Sequence, residues 1–280
     1  MLIFLTGTTG SGKSKVAHDF AIENNFQIIS LDSMAVYKNL DILSDKPSKY
    51  MQEEVQYYGI DIADTNINFS VFDYLSYLSD MKLDKLSHEE NILAVGGTGL
   101  YFNAIVNRYN FKKIDADYRV YLESLQLSDL QTLYIENGFN EKNIDTNNKR
   151  RLIRAIESNN ESMMKNVINF KLPKKDIGIF WDHPDYKQKI QNRTYNMLKQ
   201  GLLEEVKNID TPSRTIQQAI GYKEALEFND ESILMDELNR RTFKLVKKQR
   251  TWFKKINNLV YENTNSDNKI KFMIKKIAHE

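Results

Sequence analysis

The first fourteen residues constrain the fold more than any other stretch of the sequence. Four apolar residues, Leu2 to Leu5, run directly into Gly7-Thr8-Thr9-Gly10-Ser11-Gly12-Lys13-Ser14, which has the spacing G-x-x-x-x-G-K-S. In such a loop, successive backbone N–H groups turn inward around phosphate oxygens, and the N-terminus of the following helix favours the same anion. The stretch therefore predicts a buried strand, a phosphate-binding loop and a helix, the first elements of an α/β fold.

Each residue type in this loop has a chemical reason. Glycine at Gly7 and Gly12 lets the backbone approach the phosphate. The Lys13 ammonium reaches the terminal phosphate as a point charge, and the Ser14 hydroxyl is placed to bind Mg²⁺, the predicted cofactor, together with phosphate oxygens and water. A glycine-rich turn that binds nothing is the alternative, and the loop does not identify the phosphate compound. The residues predicted to bind the phosphates are Gly7, Thr8, Thr9, Gly10, Ser11, Gly12, Lys13 and Ser14.

Further apolar runs predict a parallel sheet. They lie at Gln27–Ser30, Ile92–Val95, Ile177–Trp181 and Leu259–Tyr261, and amphipathic segments separate them. We predict a P-loop NTPase-like, three-layer α/β fold with a central parallel sheet. Ligands of such sheets bind outside the carboxyl ends of the strands, so the residues that follow each strand form the candidate site.

Residues 111–174 break this alternation of strands and helices. The segment is polar, rich in asparagine and helical in pattern, with no convincing strand. We therefore predict a P-loop catalytic core, residues 1–110 and 175–280, that is interrupted by a helical insertion domain at 111–174. The predicted helices of the insertion are Asp115–Ser124, Asp129–Asn137 and Asn147–Ser158.

Composition narrows the function classes. A net charge of +1, from 39 basic and 38 acidic residues, argues neither for nor against a nucleic-acid partner, so such a partner has to be inferred from local clusters. The absence of cysteine excludes disulfides, thiolate zinc sites and a cysteine nucleophile, and it fits a reducing compartment. No apolar stretch has the length needed to span a bilayer. We therefore expect a globular cytoplasmic protein without a membrane partner.

Two strand ends carry polar side chains suited to catalysis. Asp32 and Ser33 follow the second predicted strand, where a carboxylate can accept a proton from a nucleophile or hold Mg²⁺ through water. Thr98 follows the third, between glycines that let its hydroxyl approach a ligand. Local turn chemistry explains the same residues equally well, because Asp32 can cap its turn and Thr98 can be the N-cap of the next helix.

Positive charge supplies the remaining candidates. Arg193 lies in a helical segment, where a guanidinium either clamps phosphate oxygens or is an ordinary solvated charge. Residues 240–255 contain eight basic side chains and no acidic one, with aromatic residues interleaved, and a second basic stripe includes Arg151 and Arg154. Such segments suit contacts with a phosphate backbone and stacked bases, so we favour an RNA partner over a solvated helix face.

Taken together, these segments resemble the tRNA dimethylallyltransferase family, whose members transfer the five-carbon group of dimethylallyl diphosphate to the adenosine next to the anticodon. The resemblance covers nearly the whole chain, and the ordered set of motifs is far more specific than the phosphate loop alone. The absence of a cysteine-based zinc-finger tail favours a bacterial-type member. The motifs are Gly7–Ser14, Ile28–Met34, Val95–Tyr101, Arg151–Glu157, Ile220–Glu224 and Gln249–Phe253.

The resemblance implies a role for each candidate. Asp32 matches the general base that takes a proton from the N6 amine of the adenine. Thr98 and Arg193 match residues that bind the diphosphate and stabilise it as it leaves, together with Lys13, and Ser14 matches the Mg²⁺ ligand. The insertion and the basic C-terminal segment are expected to grip the anticodon stem-loop. The residues expected to contact RNA are Ser33, Arg151, Arg154, Lys247, Lys248, Gln249 and Arg250.

The chain departs from the family pattern in places, and other functions stay open. Where the family usually has Gly-Thr-Ala-Lys-Pro, this chain has Leu43-Ser44-Asp45-Lys46-Pro47. The nearest alternative is a P-loop nucleotide kinase or an isopentenyltransferase that acts on free adenine nucleotides, and an NTP-driven RNA-binding switch is a third. We expect a monomer whose partners are tRNA and dimethylallyl diphosphate.

Overall fold

The chain forms two compact units in a computed structural model that describes residues 1–107, 110–112, 116–138, 144–159, 164–166 and 177–279. The first unit comprises Met1–Arg108 and Ile168–Glu280, and the second comprises Tyr109–Val167. The strands are β1 (Leu2–Gly7), β2 (Gln27–Ser30), β3 (Tyr57–Tyr58), β4 (Ile92–Gly96), β5 (Asn110–Lys112), β6 (Met164–Asn166), β7 (Gly178–Asp182) and β8 (Leu259–Asn263). The helices are α1 (Lys13–Asn24), α2 (Asp41–Ser44), α3 (Lys49–Glu54), α4 (Val71–Asp80), α5 (Leu83–Glu89), α6 (Gly99–Val106), α7 (Ala116–Ser124), α8 (Leu127–Glu136), α9 (Lys149–Asn159), α10 (Tyr186–Lys199), α11 (Leu202–Lys207), α12 (Arg214–Gln217), α13 (Tyr222–Glu227), α14 (Glu231–Phe253) and α15 (Asp267–His279).

A parallel sheet forms the centre of the first unit. Its strands follow the order β3-β2-β4-β1-β7-β8 in the described part of the chain, and each neighbouring pair is parallel. The central strands β1, β4 and β7 are buried at every position. Continuous apolar runs such as Leu2–Leu5 suit these strands because helices cover both faces of the sheet. The predicted α/β fold with a central parallel sheet is confirmed.

Helices form the two outer layers. On one face, α1 and α15 pack a cluster that includes Phe20 and Ile274 against the sheet. On the other face, Phe102 of α6 lies 5.0 Å from the ring of Phe4, and the rings of Phe102 and Phe253 lie 5.6 Å apart. Because Phe253 is the last residue of α14, this aromatic cluster fixes the end of the longest described helix beside β1. Within the described ranges, no helix combines the length and apolar character that crossing a bilayer requires.

The second unit has a hydrophobic core of its own. Leu130 and Tyr134 of α8 pack with Leu152 and Ile156 of α9, and the helices predicted for this segment are present as α7, α8 and α9. The prediction that the segment contains no strand was wrong. β5 and β6 pair antiparallel, and strands of three residues are too short for a period-two pattern to show in the sequence.

Candidate active site

The phosphate loop lies where the sheet changes direction. From β1 the chain continues to β2, β3 and β4 on one side of β1, and then to β7 and β8 on the other. Ligands of open parallel sheets bind at such a switch point. The loop Gly7–Ser14 starts at the carboxyl end of β1, and the Thr8 N–H donates a hydrogen bond of 3.2 Å to the carbonyl oxygen of Trp181 in β7. The loop is thereby attached to the centre of the sheet.

The backbone at the end of the phosphate loop has a conformation that requires glycine. Gly12 is the N-cap of α1 and has a φ of 96°, in the left-handed region that side chains rarely adopt. Ser11 donates its N–H to the carbonyl oxygen of Thr8 at 3.2 Å, which closes the loop on itself. The first N–H groups of α1, which have no partner within the helix, therefore lie at the loop and favour an anion there.

Lys13 adds a positive charge to the site, and its surroundings shift the pKa of its amine. Its Nζ donates a hydrogen bond of 3.3 Å to the carbonyl oxygen of Thr8. Burial is the main cause that lowers the pKa of Lys13 from 10.5 to about 8, the negative charge of Asp32 opposes this shift, and the positive charge of Arg193 adds to it. An anion bound beside this amine would favour the ammonium form, so the arrangement is suited to a phosphate ligand.

Gln249 of α14 joins the phosphate loop to the loop that follows β4. Its Oε1 accepts the Thr9 N–H at 2.9 Å, and its Nε2 donates to the carbonyl oxygen of Gly97 at 3.1 Å. A Cβ at Gly97 would lie 2.4 Å from that Nε2, so a side chain there would displace the Gln249 amide from this position. These contacts give Gln249 a role in holding the site together, and its contact with RNA stays a prediction.

The ends of β2 and β4 bring Asp32, Ser33 and Thr98 into one cavity. Asp32 accepts the Met34 N–H at 2.8 Å through Oδ1, as the turn-capping alternative predicts. In the part of the chain that the structure describes, its Oδ2 has no hydrogen bond and is free to accept a proton. Thr98 occupies the N-cap position of α6, but its hydroxyl makes no capping bond. The hydroxyl instead accepts the Ser33 N–H at 3.2 Å, which links the two loops.

Arg193 is held against the phosphate loop and is not a solvated surface charge. Ile190 and Thr194 bury one side of α10, and this orientation directs the half-buried Arg193 toward Thr9. Its Nη1 donates to the Thr9 hydroxyl. Its Nε lies 3.2 Å from Oδ2 of Asp45, on the segment after α2. A guanidinium fixed in this way can add a second positive charge to a phosphate site.

A cavity of about 1170 Å³ connects these groups. Sites of this size accommodate an extended small molecule or a base together with a phosphate compound. Three predicted loop residues, Gly7, Thr8 and Ser11, are buried and do not line it. The predicted residues that line it are Thr9, Gly10, Gly12, Lys13, Ser14, Asp32, Ser33, Thr98, Arg193, Lys248 and Gln249.

Several charged residues that line this cavity were not predicted from the sequence, and two of them contact the phosphate loop or Arg193. Lys189 precedes Arg193 by one helical turn, lines the cavity and donates through Nζ to the carbonyl oxygen of Ser11 at 3.3 Å. The spacing of four residues on one helix was the available signal. Asp45 also lines the cavity, and the only signal was that Leu43–Pro47 departs from the family pattern.

The cavity offers oxygen ligands for a magnesium ion, but few. Ser14 is exposed at the start of α1 and lines the cavity beside the phosphate loop. Among the described residues, no group of three His, Cys, Asp or Glu side chains could hold a metal ion. The residues present therefore fit Mg²⁺ only as an ion that is bound largely by phosphate oxygens and water, with the Ser14 hydroxyl as the protein ligand.

The basic α14 residues that are predicted to contact RNA differ in their surroundings: two are exposed, and one forms an ion pair within the protein. Lys247 and Lys248 are exposed, and neither forms an ion pair among the described residues. Arg250 is engaged, because its Nε and Nη2 lie 2.9 and 2.8 Å from the carboxylate oxygens of Asp182. Tyr261 donates its hydroxyl to the same carboxylate at 2.7 Å. These contacts favour a structural role for Arg250 and give no support to its predicted contact with RNA.

Arg151 and Arg154 lie on the helix α9 of the second unit. Both side chains are exposed, because Leu152, Ile153 and Ile156 form the buried side of the helix. Arg154 lies 3.8 Å from Glu157 through Nη1. The exposure of the two arginines is compatible with RNA binding, which stays a prediction for both.

Known proteins are similar to this chain over almost its full length. A tRNA dimethylallyltransferase of Aliarcobacter butzleri is 31% identical over 288 residues, which cover 95% of this chain and 97% of that protein. The crystal structure of the full-length tRNA isopentenylpyrophosphate transferase from Bacillus halodurans superposes with a TM-score of 0.70 at 30% identity, covering 99% of this chain and 95% of that one.

Fold similarity extends to more distant structures. A eukaryotic dimethylallyltransferase solved while acting on tRNA has a TM-score of 0.76 at 20% identity, and covers 99% of this chain and 78% of its own. At that identity the likeness concerns the fold alone. A family model described as IPP transferase matches residues 35–256. This match, taken with relatives of at least 30% identity over nearly the whole chain, shows that the protein belongs to the IPP transferase family.

Proposed function

We propose that this protein transfers the dimethylallyl group of dimethylallyl diphosphate to the exocyclic N6 amine of the adenosine 3′-adjacent to the anticodon of tRNA, with release of diphosphate. The observation that carries the proposal is one cavity that contains both a cationic phosphate loop and a carboxylate with an unengaged oxygen. Alkylation of an amine by an allylic diphosphate needs these two groups, one to stabilise the leaving group and one to accept a proton.

The phosphate loop supplies the leaving-group end of the cavity. The backbone N–H groups of the loop, the Lys13 ammonium and the Arg193 guanidinium are all suited to bind diphosphate oxygens. The bond between the allylic carbon and the diphosphate oxygen breaks with its electron pair on the oxygen, so negative charge grows on the leaving group. Positive groups fixed beforehand stabilise that charge more in the transition state than in the substrate.

Asp32 supplies the other end. As the N6 nitrogen forms its bond to the allylic carbon, the amine becomes positively charged and strongly acidic. Oδ2 of Asp32 can take the proton, while Oδ1 stays bonded to the Met34 N–H at 2.8 Å and keeps the side chain oriented. Thr98 supports this geometry through its bond to the Ser33 N–H, and its hydroxyl hydrogen stays available for a diphosphate oxygen.

Mg²⁺ fits this mechanism as a partner of the leaving group. The ion would be held by the Ser14 hydroxyl, diphosphate oxygens and water, where it would neutralise part of the negative charge of the diphosphate. Lys13 and Arg193 would bind the remaining diphosphate oxygens and keep the leaving group fixed relative to Asp32.

Positively charged surfaces are the proposed binding sites for RNA. Lys247 and Lys248 on α14 suit a phosphate backbone, and Lys248 also lines the cavity, so it lies where RNA would enter. Arg151 and Arg154 give the second unit a basic surface of its own. The adenine would have to leave its stack to reach the cavity, as bases do in other enzymes that modify them. The proposed reaction needs no group beyond those that line this cavity, and we propose that the protein acts as a monomer.

Incubation with dimethylallyl diphosphate and unmodified tRNA tests the proposal. We expect nucleoside mass analysis to find one adenosine per modified tRNA that is heavier by a dimethylallyl group, and a stem-loop in which that adenosine is replaced by guanosine to stay unmodified. Prenylation of free AMP or ATP in place of the stem-loop would show a free-nucleotide isopentenyltransferase, and phosphate transfer without prenylation would show a kinase.

A further inference from the structure

The Arg193 guanidinium is shared between the phosphate loop and a carboxylate. Its Nη1 donates to the Thr9 hydroxyl, and its Nε lies 3.2 Å from Oδ2 of Asp45 as an ion pair in which the Nε N–H makes no hydrogen bond among the described residues. Asp45 is an acidic residue that lines the cavity, whereas the positive groups around it suit an anion. A negative charge in that place opposes the binding of a phosphate compound, so its presence needs a reason.

The segment that carries Asp45 is fixed at both ends. At its start, the Glu205 carboxylate accepts the N–H groups of Asp41 and Ile42, each at 2.7 Å. At its end, the Lys46 ammonium is buried between the carboxylates of Asp41 and Asp61, at 2.8 and 2.7 Å. The pairing of Asp45 with Arg193 therefore belongs to an anchored turn.

Asp45 itself has the geometry of a helix end. It is the C-cap of α2 with a φ of 55°, and its N–H donates to the carbonyl oxygen of Ile42 at 3.1 Å. The side chain is 62% exposed, so the carboxylate faces the cavity without being committed to a buried ion pair. An ion pair of this exposure is weak and exchangeable, and a diphosphate that carries several negative charges can displace it.

We propose that Asp45 is a positioning residue that holds Arg193 at the phosphate loop while the site is empty, and that competes with diphosphate for the same guanidinium. When diphosphate binds, Arg193 exchanges the carboxylate for phosphate oxygens, and the nearby negative charge of Asp45 then weakens the hold on the diphosphate. The pair thereby keeps Arg193 oriented before the reaction and favours release of the product after it. The inference rests on the proposed function only for the identity of the product.

Calorimetric titration of the full chain with inorganic diphosphate tests the competition without any transfer reaction. We expect Asp45→Asn to bind diphosphate about three- to tenfold more tightly than the wild type, because it removes one negative charge close to the anion. The matched control is Asp64→Asn, which breaks an exposed ion pair with Lys38 and does not touch the cavity. Thermal unfolding of both variants verifies that they are folded.

The same titration distinguishes competition from two other roles. Unchanged or weaker binding by Asp45→Asn, with and without Mg²⁺, would overturn the proposal. Weaker binding only in the presence of Mg²⁺ would also overturn it and would assign Asp45 as a metal ligand. Absence of prenyl transfer by the wild type would refute the proposed function while leaving this measurement interpretable.

A second variant tests whether the effect passes through Arg193. In an Arg193→Lys background the positive charge remains, but the planar fork that reaches both Thr9 and Asp45 is lost. We expect the gain in affinity from Asp45→Asn to fall to less than half of its wild-type value, because coupled residues are not additive. An equal gain in both backgrounds would show a general charge effect and would overturn the pairing.

Discussion

Diphosphate binding should weaken at alkaline pH because of Lys13. Burial lowers the pKa of this lysine from 10.5 to about 8 in the empty site. A bound diphosphate stabilises the ammonium and raises the pKa of Lys13 again. Below about pH 8 the ammonium is already present and binding needs no proton, whereas above it each binding event must take up a proton, and the affinity falls as pH rises.

The size of the effect follows from the fraction of Lys13 that carries a proton. With a pKa of about 8, roughly nine in ten Lys13 side chains are charged at about pH 7 and about one in ten at about pH 9. Deprotonation of Lys13 should therefore lower the affinity about tenfold between these two pH values, relative to a site whose charge does not change. Diphosphate itself loses protons as pH rises and gains negative charge, so its own ionisation acts in the opposite direction and cannot imitate the loss.

Calorimetric titration with inorganic diphosphate at several pH values measures this effect. Repeating it in buffers of different ionisation enthalpy counts the net protons exchanged, and at about pH 9 we expect the wild type to take up close to one proton more than Lys13→Arg. Lys13→Arg is the matched control because a guanidinium stays charged throughout this range, so its affinity should not fall. A ratio of wild-type affinity to Lys13→Arg affinity that stays constant between about pH 7 and about pH 9 would refute the argument.

Three further variants test the other parts of the site. Asp32→Asn keeps the acceptor for the Met34 N–H, so we expect prenyl transfer to fall about 10²- to 10⁴-fold in a single-turnover assay while diphosphate still binds at least as tightly as to the wild type. Loss of both transfer and diphosphate binding would make Asp32 a structural or metal-binding residue. Lys247→Gln with Lys248→Gln should weaken tRNA binding in filter assays and reduce the salt slope by about one to two, and an unchanged slope would mean a solvated helix face. Gln249→Leu leaves the buried Thr9 N–H without an acceptor, so urea unfolding should show that the free energy of unfolding falls by about 1–3 kcal/mol. Diphosphate should also bind more weakly. A variant with normal stability and diphosphate binding but weaker tRNA binding would instead support the predicted contact of Gln249 with RNA.

Local patterns in the sequence predicted the elements that depend on neighbouring residues. The phosphate loop and the central strands could be predicted because the glycine spacing and the apolar runs each act over a few residues. The positions of Asp32 and Thr98 followed from one general rule, that parallel strands present their carboxyl ends at the same edge of a sheet. The same reasoning missed the paired strands β5 and β6, whose pairing joins residues more than fifty positions apart.

Contacts between distant segments were not predictable in the same way. Residues 240–255 have the composition of a basic surface, yet Arg250 pairs with Asp182 and Arg241 lies 2.6 Å from the buried Glu224. Exposed lysines and arginines that form ion pairs lie on the same helix, so composition alone cannot distinguish them. Only the three-dimensional packing shows which charges are neutralised inside the protein and which face the solvent.

The bond between Gln249 and the loop after β4 also constrains how the sequence can change. A residue larger than glycine at Gly97 would place its Cβ 2.4 Å from the Gln249 amide nitrogen, and a shorter residue at Gln249 would leave the Thr9 N–H without its acceptor. A side chain at position 97 would displace the Gln249 amide from its bond to the Gly97 carbonyl oxygen, so the two positions, 152 residues apart, are coupled. Selection from a library randomised at both positions should therefore recover linked pairs.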